Sequence, residues 1–334
     1  MKIAIVGEVW GDAEVEAGTD FAGYTGRLLR GLCRQSGIDP AQCLLTNVFK
    51  LKPPGGSVEG LCGSKTEAIP GWNFFAPKKY VRAEFQPELD RLFKELNEFQ
   101  PDCIIGLGNA PLWALCKKTG VKKFRGTPML TWGEDPWKFI CTWPPGVIQR
   151  QWNLRPIALA DFGKALRVAA MPELKRPRRE IWVEPTLDDI AEFYALHIAN
   201  AAAVSADIET AAGQITEIGF APDPHHALVI PFYSRSAPDG NYWKTQAEEL
   251  KAWGWVRTIL QTKPSFGQNY LYDLDYLWRT VGIAATKACD DTMLLHHALQ
   301  PELEKGLGFL ASIYTDEPSW KMMRQDNETL KKED

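Results

Sequence analysis

Two acidic side chains stand two residues apart in an apolar segment in the second half of the chain. Residues 204–210 read VSADIET. Because side chains alternate between faces along a strand, Asp207 and Glu209 are expected on the same face. Carboxylates that close repel each other unless a cation lies between them, and hard divalent ions such as Mg²⁺ or Mn²⁺ prefer oxygen ligands. An Asp-x-Glu pair is also common on ordinary exposed strands, so this pattern alone leaves both interpretations open.

A third carboxylate follows a second apolar segment and supports the metal interpretation. Residues 267–273 read GQNYLYD and place Asn269 and Asp273 at the predicted start of a helix. An acidic strand pair followed by Asn-x-x-x-Asp resembles the first two motifs of the DEDD-type 3′–5′ exonucleases. Three flanking segments extend the resemblance to the proofreading domain of family-A DNA polymerases, of the kind found in bacteriophages: residues 214–220 (QITEIGF), 291–297 (DTMLLHH) and 305–314 (KGLGFLASIY).

This resemblance implies a ribonuclease-H-like α/β domain that uses two Mg²⁺ or Mn²⁺ ions. Asp207 would bridge both ions, Glu209 would hold the ion that carries the nucleophilic water, and Asp273 would hold the second ion through water. Asn269 would orient the end of the DNA strand, and Tyr272 would pack against a terminal base. In two-metal sites of this type one ion activates water and the other stabilises the leaving oxygen.

The family's third motif, Tyr-x-x-x-Asp, is not found. Asp291 lies in the DTM segment, which does not bind metal in the family, and no tyrosine stands four residues before Asp316, Asp326 or Asp334. Three explanations remain open: the chain is a fragment of a longer polymerase, a separately encoded segment supplies the motif, or the site is incomplete and binds metal weakly.

The first half carries polar motifs directly after predicted strands, where parallel sheets bind their ligands. These motifs together resemble the uracil-DNA glycosylase superfamily, in particular its iron–sulfur (family 4) branch. The segments concerned are residues 7–12 (GEVWGD), 20–29 (DFAGYTGRLL), 45–54 (LTNVFKLKPP), 104–108 (IIGLG) and 125–126 (RG). The resemblance spans most of residues 1–165.

A flipped uracil needs an aromatic face for stacking and an amide that reads a carbonyl and an N–H. By resemblance, Phe21 is the stacking face, Asn47 reads the base, and Glu8 helps to position water. Contacts with DNA are expected from Lys50, Trp143 and Arg150.

The chain departs from the glycosylase pattern in three places. Residues 142–146 read TWPPG where the family has His-Pro-Ser, and the loss of a preorganised donor typically costs about 10²–10³ in rate. Val9 and Trp10 replace a small residue and a proline. The cysteine ligands of the family's cluster have no counterparts, so no iron–sulfur cluster is expected.

Composition limits the function classes without choosing among them. The net charge of −4 gives no general attraction to nucleic acid, so any DNA contact must use local patches. Seven scattered cysteines without a Cys-x-x-Cys pair, and the absence of a recognisable signal or membrane segment, favour a reduced cytoplasmic protein of a bacterial or phage-infected cell. The histidine pairs at 225–226 and 296–297 lack a third ligand at a recognisable spacing, so they are interpreted as core or surface residues rather than zinc ligands.

The spacing of apolar residues predicts an α/β protein with two domains. Strands and helices alternate in the first half, which predicts a mainly parallel sheet with helices on both faces, a three-layer α/β/α domain over residues 1–168. A basic, proline-containing linker is placed at 169–180; it is either a solvated connection or a contact for DNA phosphates. The ribonuclease-H-like exonuclease domain follows at 181–334, with a charged tail from 325.

The leading interpretation is a metal-dependent 3′–5′ exonuclease of DNA replication or repair with a uracil-recognising domain. Its expected partners are single-stranded or uracil-containing DNA and a polymerase acting in cis or in trans, with no membrane. One alternative is an active uracil-DNA glycosylase whose second half only grips DNA. Another is a non-enzymatic module that recruits a polymerase, and a weaker one is an RNA substrate.

Overall fold

The computed structural model describes residues 1–174 and 177–317. Lys175 and Arg176 of the basic stretch, and the tail that contains Asp326 and Asp334, lie outside them. The described residues form two compact units, one made of residues 1–174 and 308–317 and the other of residues 177–307. The boundary between the units lies inside the predicted linker. Residues 308–317 were predicted to belong to the second domain, but they group with the first unit.

The first unit alternates strands and helices over most of its length. Its elements are β1 (Ile3–Val9), α1 (Asp12–Ala17), α2 (Gly23–Gln35), β2 (Leu44–Phe49), β3 (Cys62–Gly63), β4 (Tyr80–Val81), α3 (Gln86–Phe99), β5 (Cys103–Leu107), α4 (Asn109–Cys116), α5 (Val121–Phe124), β6 (Pro128–Leu130), β7 (Lys138–Thr142), α6 (Pro145–Arg150) and α7 (Arg155–Ala170).

The main sheet of the first unit has the strand order β2-β1-β5-β7-β6. The first four strands are parallel, and the short β6 pairs antiparallel with β7. Both faces are covered by apolar layers, because alternate residues of β1 enter different clusters: Ala4 and Val6 enter one, Ile3 and Ile5 the other. Strands buried on both faces read as continuous apolar runs. The predicted parallel α/β architecture is confirmed here.

The second unit contains the remaining strands and most of the remaining helices. Its elements are β8 (Glu180–Trp182), α8 (Leu187–Phe193), β9 (Val204–Ala211), β10 (Gln214–Ala221), β11 (His226–Pro231), α9 (Gln246–Thr262), β12 (Ser265–Gly267), α10 (Tyr270–Val281), β13 (Ala288–Asp291) and α11 (Thr292–Leu299); α12 (Leu307–Tyr314) follows, and from Gly308 onward it belongs to the first unit. A π-helical turn, Tyr194–Ile198, continues α8.

The second sheet is mixed, with the order β13-β12-β9-β10-β11-β8. Strand β10 pairs antiparallel with both β9 and β11, and parallel pairs lie on either side: β11 with β8, and β9 with β12, which in turn pairs with β13. Along β9 the side chains of Ala206 and Ile208 are buried while those of Asp207 and Glu209 are exposed. This alternation places the two carboxylates on the same face, as predicted.

Helix α10 begins earlier than its sequence pattern predicts. The apolar spacing predicts a helix over 274–281, but α10 starts at Tyr270, so that the Asn-x-x-x-Asp motif lies at the helix start, as that motif predicts. Asn269 adopts a left-handed backbone conformation with φ 56° immediately before the helix. Asp291 accepts hydrogen bonds from the amides of Asn269 and Tyr270 at 3.0 and 2.7 Å, which secures this helix start. Asp273 therefore lies in the first turn of the helix.

The last described helix, α12, is fixed to the first unit by buried cations. Arg125 donates from Nη1 to Ser312 Oγ at 2.7 Å. Lys164 donates from Nζ to the carbonyls of Gly126 and Ser312, each at 2.8 Å, and also to that of Thr315. Burial lowers the pKa of Lys164 to about 8, although Asp161 opposes this shift.

No helix in residues 1–174 or 177–317 is both long enough and apolar enough to cross a membrane.

Candidate functional site

A hydrogen bond joins Asp273 of helix α10 to strand β9, which carries Asp207 and Glu209. Asp273 is buried, and its Oδ1 accepts from the backbone N–H of Ile208 at 2.8 Å. Burial raises the pKa of Asp273 to about 6, and the nearby negative charge of Asp207 adds to the increase. A carboxylate disfavoured by a like charge gains most from a cation.

The three predicted metal ligands do not converge fully. Asp207, Glu209 and Asp273 do not form a set whose donor atoms all lie within 4.8 Å of one another, in a search limited to residues 1–174 and 177–317. The two acidic residues of β9 are exposed, whereas Asp273 is 3% exposed. The arrangement thus gathers the three groups near β9 without closing a coordination sphere.

The two residues predicted to contact the exonuclease substrate have different surroundings. Tyr272 is 45% exposed, and its hydroxyl shares a hydrogen bond with Thr210 Oγ1 at 2.9 Å, next to Glu209 in sequence. Asn269 occupies the N-cap of α10, where its left-handed backbone starts the helix and its N–H donates to Asp291. Asp291 also caps α11 by accepting from the N–H of Met293 at 2.8 Å, which agrees with the interpretation that it is not a metal ligand.

A second group of predicted residues meets in the first unit at the carboxyl ends of β1 and β2. Gly7 and Asn47 are register partners on these parallel strands. A Cβ added to Gly7 would lie 2.2 Å from Asn47 Oδ1 and 2.9 Å from Phe21 Cζ. The aromatic ring and the amide therefore approach the same glycine, and only a residue without a side chain leaves them room.

Asp20 holds the amide of Asn47 and was not predicted as a site residue. Its Oδ1 accepts from Asn47 Nδ2 at 2.9 Å and from Trp10 Nε1 at 2.7 Å. An amide nitrogen carries two N–H groups, so Asn47 retains one N–H and its carbonyl for a base. The sequence offered one indication that Asp20 belongs to the site, because Asp20 stands directly before Phe21.

The loop that carries Phe21 is held in a strained conformation. Phe21 has a φ of 52°, which is uncommon for a bulky residue, and its side chain is 6% exposed. Arg30 donates from Nη1 to the carbonyl of Phe21 at 3.0 Å. A Cβ on Gly26 would lie 1.6 Å from the same carbonyl oxygen, so the loop packs directly on the backbone of α2. Strain of this kind concentrates at functional sites.

Glu8 follows Gly7 on β1, and its side chain faces the N-terminus of α4. Its Oε1 accepts from the backbone N–H groups of Asn109 and Ala110 at 2.8 and 3.1 Å. Burial raises the pKa of Glu8, and these two hydrogen bonds act in the opposite direction. Both bonds use Oε1.

Comparison with known proteins finds matches to the first unit. Residues 1–174, slightly more than half of the chain, match the family model described as the uracil DNA glycosylase superfamily. The chain belongs to the uracil-DNA glycosylase superfamily. A type-4 uracil-DNA glycosylase of Thermotoga maritima is 30% identical to it over an alignment of 173 positions that covers 49% of this chain and 76% of that relative. The family match ends at residue 174, so the exonuclease resemblance of the second unit rests on its own motifs and stays a prediction.

The end of β7 is the place where this superfamily member departs most clearly from the expected glycosylase site. Thr142 is buried, and its hydroxyl donates to Asp161 Oδ2 at 2.6 Å. Trp143 follows and packs, partly buried, against the apolar clusters on both faces of the sheet. An indole N–H donates but cannot accept a proton, so Trp143 does not reproduce the chemistry of a histidine.

The three residues predicted to contact DNA have different surroundings. Lys50 forms ion pairs with Asp20 at 3.1 Å and Glu95 at 2.7 Å, so its charge is already shared with two carboxylates. Arg150 is exposed at the C-terminal end of α6, and Trp143 is largely packed against apolar residues. The DNA contact stays a prediction for all three.

The cysteines do not fit an iron–sulfur cluster of the type-4 kind. Such a cluster takes four cysteine thiolates, but the six cysteines of the first unit divide between the two faces of the sheet. Three lie with one apolar layer (Cys62, Cys116 and Cys141) and three with the other (Cys33, Cys43 and Cys103). Burial raises the pKa of the Cys103 and Cys116 thiols to about 12 each, which favours the neutral form.

Proposed function

We propose that the first unit recognises uracil in DNA and removes it slowly by hydrolysis. Superfamily membership supports the substrate class. The observation that carries the proposal is the convergence of Phe21 and Asn47 on Gly7, with Asp20 fixing the amide. The type-4 glycosylase of Thermotoga maritima supports the same substrate by its name.

The proposed recognition follows from the groups that Asn47 keeps available. Its remaining N–H would donate to the O4 of a flipped uracil, and its carbonyl would accept from the N3–H. Cytosine presents the opposite pattern, an amino donor and a ring acceptor, so it would be rejected. Phe21 would stack on the base, and unstacking the base from the duplex costs a few kcal/mol.

The proposed reaction breaks the bond between C1′ of the sugar and N1 of the base. The bonding electron pair leaves with uracil, and the oxygen of a water forms the new bond to C1′. Glu8 holds that water through Oε2 and takes its proton. Because the end of β7 offers no histidine to stabilise charge on the departing base, we expect a rate about 10²–10³ below that of an enzyme that has one.

A second proposal concerns the second unit, which we infer to be a metal-dependent 3′–5′ exonuclease. The hydrogen bond between Asp273 and Ile208 supports it, because it brings a third carboxylate beside Asp207. The mixed sheet, with three antiparallel strands flanked by parallel ones, is consistent with the predicted ribonuclease-H-like architecture. Asp207, Glu209 and Asp273 would hold Mg²⁺ or Mn²⁺, which would activate water and stabilise the leaving oxygen.

The partners proposed for this activity are DNA and a polymerase segment. The third exonuclease motif was not found in the sequence, so a polymerase in cis or in trans would supply the missing tyrosine and the fourth carboxylate. Tyr272 and Asn269 would contact the strand end near β9, where Tyr272 already bonds to Thr210.

One experiment separates the two activities. A 5′-labelled single strand with one internal uracil is incubated with the full chain in Mg²⁺ or in EDTA, and half of each sample is then treated with alkali. Glycosylase activity gives one alkali-dependent cut at uracil in both buffers. Exonuclease activity gives a ladder that shortens from the 3′ end in Mg²⁺ only.

Two variants assign each activity to its unit. We expect Asn47→Ala to remove the cut at uracil and to leave the exonuclease ladder unchanged. We expect Asp207→Ala to remove the ladder and to leave the cut at uracil unchanged. A cut that survives Asn47→Ala would refute the base-pocket proposal. A ladder that survives Asp207→Ala, or no ladder in Mg²⁺ or Mn²⁺ with the polymerase segment added, would refute the nuclease proposal.

A further inference from the structure

Two histidines and a glutamate meet at the edge of the second sheet, away from the acidic residues of β9. Glu180 on β8 and His226 on β11 are register partners in a parallel pair, so they are neighbours across the strands. His197, from the π-helical turn after α8, stacks on His226 with ring centroids 4.1 Å apart. One donor atom from each of these three residues lies within 4.8 Å of the other two.

Neighbouring groups orient two of these three side chains. Asp223 contacts His226 Nδ1 through both carboxylate oxygens, at 3.0 and 2.9 Å, and also accepts from the backbone N–H of His226 at 3.1 Å. Trp182 Nε1 donates to Glu180 Oε1 at 2.6 Å. A carboxylate on one imidazole nitrogen fixes the tautomer that presents the other nitrogen to a metal, and such partners are typical of metal-binding histidines.

The backbone around His197 is also unusual. Tyr194–Ile198 forms a π-helical turn at the end of α8, and the ring of Phe193 lies 4.7 Å from that of His197. Isolated π-turns cost stability and occur frequently at functional sites. Here the turn brings the imidazole of His197 over His226, although the two residues come from different elements.

We propose that Glu180, His197 and His226 bind a divalent transition-metal ion, Zn²⁺ in the first instance. Two imidazoles and one carboxylate are a ligand set that zinc uses, with the fourth position taken by water. Calcium and magnesium are disfavoured, because they prefer sets made of oxygen atoms. The set is therefore chemically distinct from the carboxylates proposed to hold Mg²⁺ on β9.

Binding requires a small contraction of the cluster. Ligand atoms about 2.1 Å from a tetrahedral ion lie about 3.4 Å apart, so separations of up to 4.8 Å must shorten by up to about 1.4 Å. The two stacked rings, which are 22° from parallel, must also tilt so that a nitrogen of each points to the ion. Glu180 is exposed and makes this adjustment most easily. The bound ion would join β8, which is an edge strand of three residues, to β11 and to the π-turn. We therefore expect zinc to stabilise the second unit, since a ligand that binds only the folded state raises the melting temperature.

The experiment measures zinc binding to the full chain after EDTA treatment and dialysis. Competition with a chromogenic chelator gives stoichiometry and affinity, and thermal melts give the stabilisation. We expect one Zn²⁺ per chain at micromolar free metal and a higher melting temperature. His226→Ala and the milder Glu180→Gln should each weaken binding more than tenfold, and Asp223→Asn about 10–100-fold.

Two controls distinguish this site from binding elsewhere. His225→Ala removes the adjacent histidine, whose Nδ1 faces the carbonyl of Arg178 at 3.2 Å, and should leave the affinity unchanged. Cobalt substituted for zinc should give absorption bands of nitrogen and oxygen ligation without a thiolate charge-transfer band. Full zinc binding by Glu180→Gln and His226→Ala, a thiolate band, or no binding at micromolar metal would overturn the proposal.

Discussion

Asp273 accepts a hydrogen bond from the backbone N–H of Ile208 at 2.8 Å, which fixes a carboxylate of helix α10 to the strand of Asp207 and Glu209. This bond favours the ionised carboxylate and so acts to lower the pKa of Asp273, but an amide oxygen at the same position can also accept it. The charge on Asp273 is the unfavourable part, since burial and Asp207 both raise its pKa. Stability and metal binding therefore make opposite demands on this residue.

We predict that Asp273→Asn is more stable than the natural chain at neutral pH and has no nuclease activity. The pKa of Asp273 rises from 3.8 to about 6 on folding, so the folded state holds this proton more tightly than the unfolded state. The protonated carboxyl of Asp273 therefore contributes fully to the free energy of unfolding below about pH 4. This contribution, about 2–3 kcal/mol at most, is lost as the pH rises through 6. Urea unfolding in EDTA at pH 4.5 and 7.5 measures the difference between the two proteins.

The control for this prediction is Asp275→Asn on the same helix. Asp275 is on the surface and pairs with Arg279 at 2.7 Å, so its removal should change stability little at either pH. A natural chain that gains stability relative to Asp273→Asn between pH 4.5 and 7.5 would contradict the raised pKa.

Gly7→Ala should abolish discrimination in favour of uracil-containing DNA. The new Cβ would lie 2.2 Å from Asn47 Oδ1, so the amide must leave its position, at a stability cost of about 1–3 kcal/mol. Competition binding with matched strands that carry uracil or cytosine at one position should show at least a tenfold loss of preference, because only this pair is distinguished by the amide of Asn47. Gly31→Ala in α2 meets nothing within 4 Å and should keep the preference. Unchanged discrimination in Gly7→Ala would place base recognition elsewhere.

Trp143→His should raise the rate of uracil release. It restores an imidazole after β7, in the region where the superfamily's motif is replaced, and a preorganised donor there is worth about 10²–10³ in rate. The partly buried indole leaves some space behind, so we expect a gain of about tenfold or more, measured in single-turnover assays in EDTA. Trp143→Phe is the matched control and should show no gain. Equal rates for the two variants would contradict a catalytic defect at this position.

Gly126→Ala should destabilise the first unit and release α12. Gly126 has φ 69°, and a Cβ there would lie 2.6 Å from Asp161 Oδ1 and 2.7 Å from the carbonyl oxygen of Ser312. We expect a cost of about 2 kcal/mol or more and faster proteolysis near Ser312. Gly163→Ala in α7, where nothing lies within 4 Å, should behave like the natural chain. If both variants are cleaved at the same rate, Gly126 does not hold the helix.

The regular elements were predictable because local periodicity determines them. The apolar patterns predict strands over 138–142 and 214–221, which are the bounds of β7 and β10, and a helix over 85–99, within one residue of the start of α3. The start that the apolar spacing predicts for α10 was wrong by four residues, because it depends on Asp291, which is distant in sequence. Antiparallel β6 was missed because it has only three residues. Local patterns cannot report such long-range or short pairings.

The candidate sites were predictable only where residues stand in a motif. Phe21 and Asn47 were found through a resemblance, and the structure brings them together at Gly7. Asp20 was overlooked, since its role depends on the side chains it meets. Likewise, nothing in the sequence links His197 with His226: their proximity depends on a π-turn and on the pairing of two distant strands.

The contacts of Lys164 have a consequence for the synthesis of this protein. This buried ammonium lies within the part that matches the superfamily, but two of its acceptor carbonyls follow it by 148 and 151 residues. A ribosome that adds 5–20 residues per second needs roughly 10–30 s to make that distance. During this interval the nascent first unit carries a lysine whose burial is incomplete, so it reaches its final stability only after the entire second unit has emerged.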